Sequence, residues 1–194
     1  MLDTKLSQHL HIIAFYNYLL KERNYSKNTA LAYQKDVEQY FLFNNGAFKE
    51  LTSTNVRVWV RRMLSGNMAI KSVHRKVSSL RIYAKFLQET EQIDQAPDLT
   101  LQLPRIPKRI PKYVRIKDIN SVLDLLEQNA LDFQSTLELT VISTFYHTGI
   151  RRAELISFKQ NDLDISKKQM KVMGKGYKQR IVPLSEEVIQ HLGR

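Results

Sequence analysis

Four of the five prolines in this chain of 194 residues lie within one 15-residue stretch, at Pro97, Pro104, Pro107 and Pro111. Proline fixes φ and has no backbone N–H, so repeated prolines prevent a regular helix and favour extended chain. A chain of this length can supply two small cores. We therefore predict two domains, at about 1–105 and 118–194, joined by a linker at 106–117.

The linker region is also strongly basic. No acidic residue occurs between positions 99 and 117, whereas the same stretch holds six basic side chains: Arg105, Lys108, Arg109, Lys112, Arg115 and Lys117. This pattern predicts that the linker follows a phosphate backbone, with Arg105, Lys108 and Arg109 as contacts. A merely solvated linker is the alternative.

Residues 1–90 are predicted to form four amphipathic helices. The fourth is the clearest, because Val73, Val77, Leu80, Ala84 and Leu87 form one apolar stripe at helical spacing. At about 100° per residue, its basic residues lie on other sides of the helix, where they could bind DNA or simply be solvated. These basic residues are Lys71, Arg75, Arg81 and Lys85.

The charge balance points to a polyanionic partner. The formal net charge is +11, and the excess is spread over both halves of the chain, with 14 basic and 9 acidic residues through position 100. Such a distribution suits nucleic acid, although an ordinary basic protein would share it. The absence of cysteine excludes a disulfide framework and cysteine-based zinc sites. No secretory signal or long apolar run is present, so we expect a cytoplasmic protein without a membrane partner.

The second domain is predicted to mix helices with a β-hairpin. Asp118 is expected to cap a helix through Leu126, and a second helix to span Phe133–His147. A short helix should begin at Arg152, and the hairpin strands should be Gln169–Met173 and Gln179–Leu184. Ser185 is expected to cap a last helix.

Two segments of this domain suggest chemistry. In the first, the turn Thr148-Gly149 places Arg151 at a helix entrance, where its planar guanidinium can grip two phosphate oxygens and Glu154 can orient it. In the second, Lys175 lies between Gly174 and Gly176, and glycines allow a hairpin tip to approach a backbone closely. Each segment alone is also compatible with a surface arginine or an ordinary tight turn, and neither is a Walker loop.

Together and in this order, the segments resemble the tyrosine recombinase (phage integrase) family, nearest the Xer-type enzymes. The matching residues are Thr-Gly-Ile-Arg-x-x-Glu-Leu at 148–155 and Gly-Lys-Gly-x-Lys-x-Arg-x-Val-Pro-Leu at 174–184. Tyr25-Ser26-x-x-Thr29 with Tyr33 and Asp36 is similar to the opening of the family's core-binding domain. The resemblance implies a mainly α fold, with a four-helix SAM-like domain followed by part of an α+β catalytic domain.

The resemblance also implies a reaction. A tyrosine attacks a DNA phosphate and forms a 3′-phosphotyrosyl link without metal or cofactor. Arg151 matches the arginine that holds the non-bridging oxygens, and Lys175 matches the lysine that protonates the leaving 5′-oxygen. Lys178 and Arg180, on the same hairpin, are predicted to contact DNA.

The match stops before the family's nucleophile. No tyrosine follows Tyr177, and His191 has the family's His-x-x-Arg spacing but arrives too early, so we interpret it as a helix-surface residue. The chain resembles the first two-thirds of a member and is expected to bind duplex DNA without cutting it. Members act as tetramers on DNA, whereas this chain is expected to be monomeric. A non-catalytic helical DNA-binding regulator and a basic RNA-binding or protein-interaction module are the alternatives.

Overall fold

A computed structural model of the chain describes residues 2–44, 51–107, 110, 112–174, 176 and 178–193, with side chains from residue 10 onward. The chain separates into two compact units, Met1–Arg109 and Ile110–Arg194. It is mostly helical and carries a small antiparallel sheet, which confirms the predicted fold class. Within the described residues, no helix combines the length and the apolar character needed to cross a membrane.

The first unit is helical in its described parts. Its helices are α1 (Leu2–Lys21), α2 (Lys27–Phe43), α3 (Ser53–Ser65) and α4 (Ile70–Glu89). The hydroxyl of Ser26 accepts a hydrogen bond from the Thr29 N–H at 3.2 Å and so caps α2. Thr52 caps α3 in the same way, through the N–H of Asn55. These caps satisfy N–H groups that a helix start leaves unpaired.

The core of this unit surrounds α4. All five residues of the predicted apolar stripe of α4 are buried, and they pack with aromatic rings of α1 and α2. The rings of Phe15 and Tyr83 meet edge to face, with centroids 5.0 Å apart. Leu99 is also buried in this core, with Leu101 and Leu103 against it, so the start of the Pro-rich segment is packed and not free chain.

The second unit places a three-stranded sheet among helices. Its elements are α5 (Ile116–Gln128), α6 (Phe133–Thr148), α7 (Arg152–Ile156), β1 (Leu163–Asp164), β2 (Gln169–Met173), β3 (Gln179–Pro183) and α8 (Glu186–Leu192). The strands run antiparallel in the order β1-β2-β3, with Met170 opposite Val182. Met170 and Val172 of β2 and Val182 of β3 are buried with Ile150, Leu184 and Val188, as expected for a sheet with one covered face.

Two details of this unit differ from the sequence predictions. Helix α5 begins at Ile116 after Arg115, so Asp118 is not its cap. The Asp118 carboxylate instead accepts two hydrogen bonds from the guanidinium of Arg115, at 2.9 and 3.1 Å. The short strand β1 was not predicted, because two residues are too few to show an alternating pattern.

Candidate functional site

Arg151 lies at a turn whose geometry is fixed on both sides. Helix α6 ends at Thr148, and Gly149 adopts φ 61° while its N–H donates to the Phe145 carbonyl at 3.0 Å. This left-handed conformation is costly for residues with a side chain, which explains the glycine. Ile150 is buried in the core, and Arg151 then begins α7 as its N-cap. The turn therefore holds the Arg151 backbone in one position.

Glu154 collects four hydrogen bonds on one buried carboxylate. Its side chain is only 4% exposed. It accepts the backbone N–H of Arg151 at 2.8 Å and the Arg151 Nη1 at 3.0 Å. Two nitrogens of Arg180, on β3, donate to its two oxygens at 2.6 and 2.8 Å. Such a paired contact between guanidinium and carboxylate is both strong and directional. We call Arg151, Glu154 and Arg180 the arginine cluster.

The arginine cluster keeps its charges at neutral pH. The hydrogen bonds from Arg180, followed by the N–H of Arg151, lower the pKa of Glu154 to about 2. The bond to Glu154 in turn raises the pKa of Arg180. One carboxylate thus lies between two guanidinium groups, and the cluster has a net charge of +1. Because the Arg151 side chain is 70% exposed and that of Arg180 is 40% exposed, the cluster can bind an anion from solvent.

The β2–β3 hairpin brings Arg180 to this carboxylate. The Gly174 N–H donates to the Lys178 carbonyl at 2.8 Å and closes the hairpin. A Cβ added at Gly174 would lie 3.2 Å from that carbonyl and 3.3 Å from the Arg180 Nη1, so the close approach favours glycine here. Lys178 is exposed beside it. Lys175, the predicted proton donor, lies outside the described residues.

The predicted DNA-binding residues of α4 differ in their surroundings. Lys71 and Lys85 are exposed. Arg75 is partly exposed and bonded to the buried Asp36. Arg81 donates from Nε and Nη2 to the Leu99 carbonyl at 3.1 and 2.9 Å, so it fastens the start of the Pro-rich segment to α4. That contact does not follow from the helical pattern, which only placed Arg81 away from the core.

Of the three DNA contacts predicted in the Pro-rich segment, only Arg105 lies among the described residues. Arg105 is exposed, directly after Pro104, whose carbonyl lies 2.9 Å from the His74 Nε2. Lys108 and Arg109 lie outside the described residues. The DNA-binding assignments of Arg105, of the α4 residues and of the hairpin therefore remain predictions.

Two histidines of the second unit have defined contacts. His147 Nε2 lies 2.7 Å from a Glu187 carboxylate oxygen, and its Nδ1 lies 2.9 Å from the Ser143 carbonyl. The interpretation of His191 as a surface residue is wrong, because its side chain is 9% exposed and its Nε2 lies 3.9 Å from Glu127. The His191 backbone carbonyl accepts a hydrogen bond from the hydroxyl of Thr140, on α6, at 3.2 Å. Among the described residues, no three His, Cys, Asp or Glu side chains are grouped to hold a metal.

Comparison with known proteins gives consistent matches over both units. The sequence profile of the phage integrase N-terminal SAM-like domain matches residues 12–91, and that of the phage integrase family matches residues 112–194. Tyrosine recombinase XerC of Bacillus pumilus is 34% identical, over 87% of this chain and 56% of the relative. Tyrosine recombinase XerD of Rickettsia bellii is 30% identical, over 93% of this chain and 62% of the relative. The chain thus spans less than two thirds of these curated relatives.

Solved structures share the fold. The integrase of transposon Tn1549, in complex with transposon right end DNA, superposes with a TM-score of 0.69 at 18% identity, covering 94% of this chain and 64% of that one. A lambda integrase dimer bound to a core site gives a TM-score of 0.63 at 13% identity, covering 93% and 64%. At these identities the likeness establishes the architecture alone.

Proposed function

Because this chain belongs to the phage integrase family of tyrosine recombinases, we propose that it is the DNA-binding part of a site-specific recombinase. The observation that carries the proposal is the arginine cluster, in which a buried carboxylate holds two exposed guanidinium groups. A surface arginine without a function in binding does not need to be fixed by a buried acid that itself accepts four hydrogen bonds. A guanidinium that must contact one particular phosphate does need to be fixed in position.

In the proposed reaction, a tyrosine oxygen attacks the scissile phosphorus and displaces the 5′-oxygen of the next nucleotide. The bond to the tyrosine replaces the bond to that oxygen, and strand exchange runs the same step in reverse. Arg151 donates hydrogen bonds to the non-bridging oxygens as negative charge builds on them. Lys175 gives a proton to the leaving 5′-oxygen, and its identification rests on the sequence resemblance alone.

The rest of the proposed interface binds DNA backbone. Lys71, Arg75 and Lys85 offer charge along α4, and Lys178 and Arg180 offer it on the hairpin. The net charge of +11 favours this contact, since each neutralised phosphate releases condensed counterions. We further propose that the 194 residues alone bind duplex DNA without cleaving it.

Salt dependence of DNA binding tests the proposal. A labelled duplex is titrated with the chain between about 50 and about 200 mM salt, and the logarithm of the affinity is plotted against that of the salt concentration. We expect a steep fall, by about 0.9 in slope for each phosphate contacted. A flat response would remove DNA as the partner.

A matched pair of variants tests the site itself. Arg151→Ala and Arg152→Ala each remove one exposed positive charge from neighbouring positions, but only Arg151 is bonded to Glu154. We expect Arg151→Ala to lower the salt slope by about one and the affinity with it, and Arg152→Ala to do less. Equal effects would show that position 151 has no special contact, which would favour a non-catalytic DNA-binding protein.

A further inference from the structure

A second charged cluster lies in the first unit, away from the proposed catalytic residues in sequence. The carboxylate of Asp36, on α2, is 1% exposed and binds two consecutive residues of α4. Its Oδ2 accepts from the Arg75 Nη1, and its Oδ1 accepts from the Lys76 Nζ at 3.0 Å. The two cations differ in environment, because the Arg75 side chain is 42% exposed and that of Lys76 is 6% exposed.

We infer that Asp36 is a positioning residue that holds Arg75 for contact with a DNA phosphate, while Lys76 supplies the charge that keeps this cluster positive. The inference rests on the proposed function and deepens it by assigning one phosphate contact to the α2–α4 surface. It also gives each member of the cluster a separate task. Arg75 binds, Asp36 positions and Lys76 compensates.

The charge arithmetic favours this division. An arginine paired with a single carboxylate is neutral as a pair, which weakens its attraction for a phosphate. The cluster of Arg75, Asp36 and Lys76 carries a net charge of +1, so its surface member keeps a positive field. Lys76 is held inside by Gln39, whose Oε1 accepts from its Nζ, and its Nζ lies 5.8 Å from the centre of the Trp59 ring.

The hydrogen bonds of Arg75 leave part of its guanidinium available. Its Nη1 donates both to Asp36 and to the Ala32 carbonyl at 3.3 Å. Within the described part of the chain, Nε and Nη2 have no hydrogen-bond partner, and this pair of donors matches the oxygens of a phosphate. A guanidinium already fixed at one nitrogen loses less side-chain entropy when it binds. Lys71 and Lys85 are exposed on the same side of α4.

The rival explanation is that the cluster only fixes the packing of α2 against α4. A double-mutant cycle separates the two. The variant Asp36→Asn/Lys76→Met removes one charge of each sign from the interior, leaves Arg75 in place and does not change the net charge. We expect it to bind a labelled duplex of about 30 base pairs about tenfold more weakly than the parent chain at low salt. In the Arg75→Ala background, the same double substitution should have no further effect.

A loss of equal size in both backgrounds would overturn the inference, because the effect would not pass through Arg75. Arg75→Lys provides a second measurement that leaves Asp36 and Lys76 in place, since it changes only a partly exposed side chain and keeps the charge. We expect weaker binding for Arg75→Lys, as lysine lacks the planar fork. Parental affinity for that variant would show that charge alone suffices and would also overturn the inference. The two failures are distinguishable: a parent chain that does not bind the duplex contradicts the proposed function itself.

Discussion

Glu154 binds both guanidinium groups of the arginine cluster, and each of its oxygens accepts two hydrogen bonds. Those bonds favour the charged carboxylate. Protonation of Glu154 and its substitution by the uncharged glutamine should therefore both weaken the arginine cluster. Either change leaves two arginines side by side without an anion between them. The position of Arg151 therefore depends on the charge of a residue three positions later in the chain.

The pH dependence of this contact can be predicted with its sign. The pKa of Glu154 is about 2 in the folded chain and 4.5 ordinarily, so its stabilising effect is complete above 4.5 and is lost as the pH falls toward 2. We expect Glu154→Gln to be less stable than the parent at neutral pH, and the difference to shrink over that acid range. Hydrogen exchange of the backbone amides of β2 and β3 measures this difference in stability. Asp124→Asn, at an exposed site on α5, is the control and should show no such trend.

An NMR titration gives a direct check of the same residue. The carboxyl carbon of Glu154 should titrate near 2, in line with the bonds from Arg180 and Arg151. A midpoint at or above 4.5 would contradict the geometry of the arginine cluster. Either result is independent of DNA.

At the scale of single residues, contacts within one short segment could be predicted from the sequence, whereas contacts between distant positions could not. The contact of Glu154 with Arg151 could be predicted, because both lie in one short segment with a clear turn. The contacts of Arg75 with Asp36 and of Arg81 with the Leu99 carbonyl could not, since they join residues 39 and 18 positions apart. Helical periodicity states which side of a helix a residue occupies, and it does not name the partner that the residue meets there.

The β2–β3 hairpin connects Arg180 to the arginine cluster, and its turn can be tested at Gly174. An alanine Cβ there would approach the Lys178 carbonyl and the Arg180 Nη1, at 3.2 and 3.3 Å. We expect Gly174→Ala to destabilise the hairpin by about 1 to 3 kcal/mol, a typical cost of overpacking, and to weaken the Arg180–Glu154 contact.

Hydrogen exchange of the hairpin amides measures this effect, and Gly193→Ala is its matched control in the same unit. An added Cβ at Gly193 would lie no closer than 3.6 Å to its neighbours, and its φ of −93° suits any residue. The control should change stability by about 0.5 kcal/mol or less. If Gly174→Ala left the exchange protection of the hairpin amides unchanged, the hairpin would accommodate the added Cβ without cost. Glycine would then not be needed for the close approach of the Lys178 carbonyl and the Arg180 Nη1.

Elements with a long or repeated signal could be predicted, and those without one could not. The apolar stripe of α4, the alternation in β2 and the caps at Ser26 and Ser185 are all local patterns, and the structure contains each of them. The start of α5 was misassigned because Asp118 is a frequent N-cap residue, whereas here its carboxylate binds Arg115. The burial of His191 depends on how α8 packs against α6, which no local pattern encodes.

Across the whole molecule, both units carry a net positive charge, +8 over residues 1–109 (17 basic and 9 acidic) and +3 over residues 110–194 (13 basic and 10 acidic), and each unit has its own clustered arginine. In both clusters a buried carboxylate fixes an arginine that stays partly exposed: Asp36 fixes Arg75, and Glu154 fixes Arg151. Two such sites in two compact units are consistent with the proposed function, in which the protein contacts a duplex at more than one place. The shared design does not by itself provide a group that can break a DNA strand.

The nine tyrosines of the chain lead to the last prediction. Tyr18, Tyr40 and Tyr83 are buried in the first core, whereas Tyr113 is 87% exposed, just before α5. None of the nine tyrosines occupies the sequence position of the family's nucleophile. We therefore expect these 194 residues to form no covalent complex with a nicked suicide duplex. Electrophoresis in detergent, with an active relative run beside the chain, measures this. A detergent-resistant complex would contradict this expectation. If Tyr113→Phe then abolished the complex, that tyrosine would be the nucleophile, and these 194 residues would cut DNA by themselves.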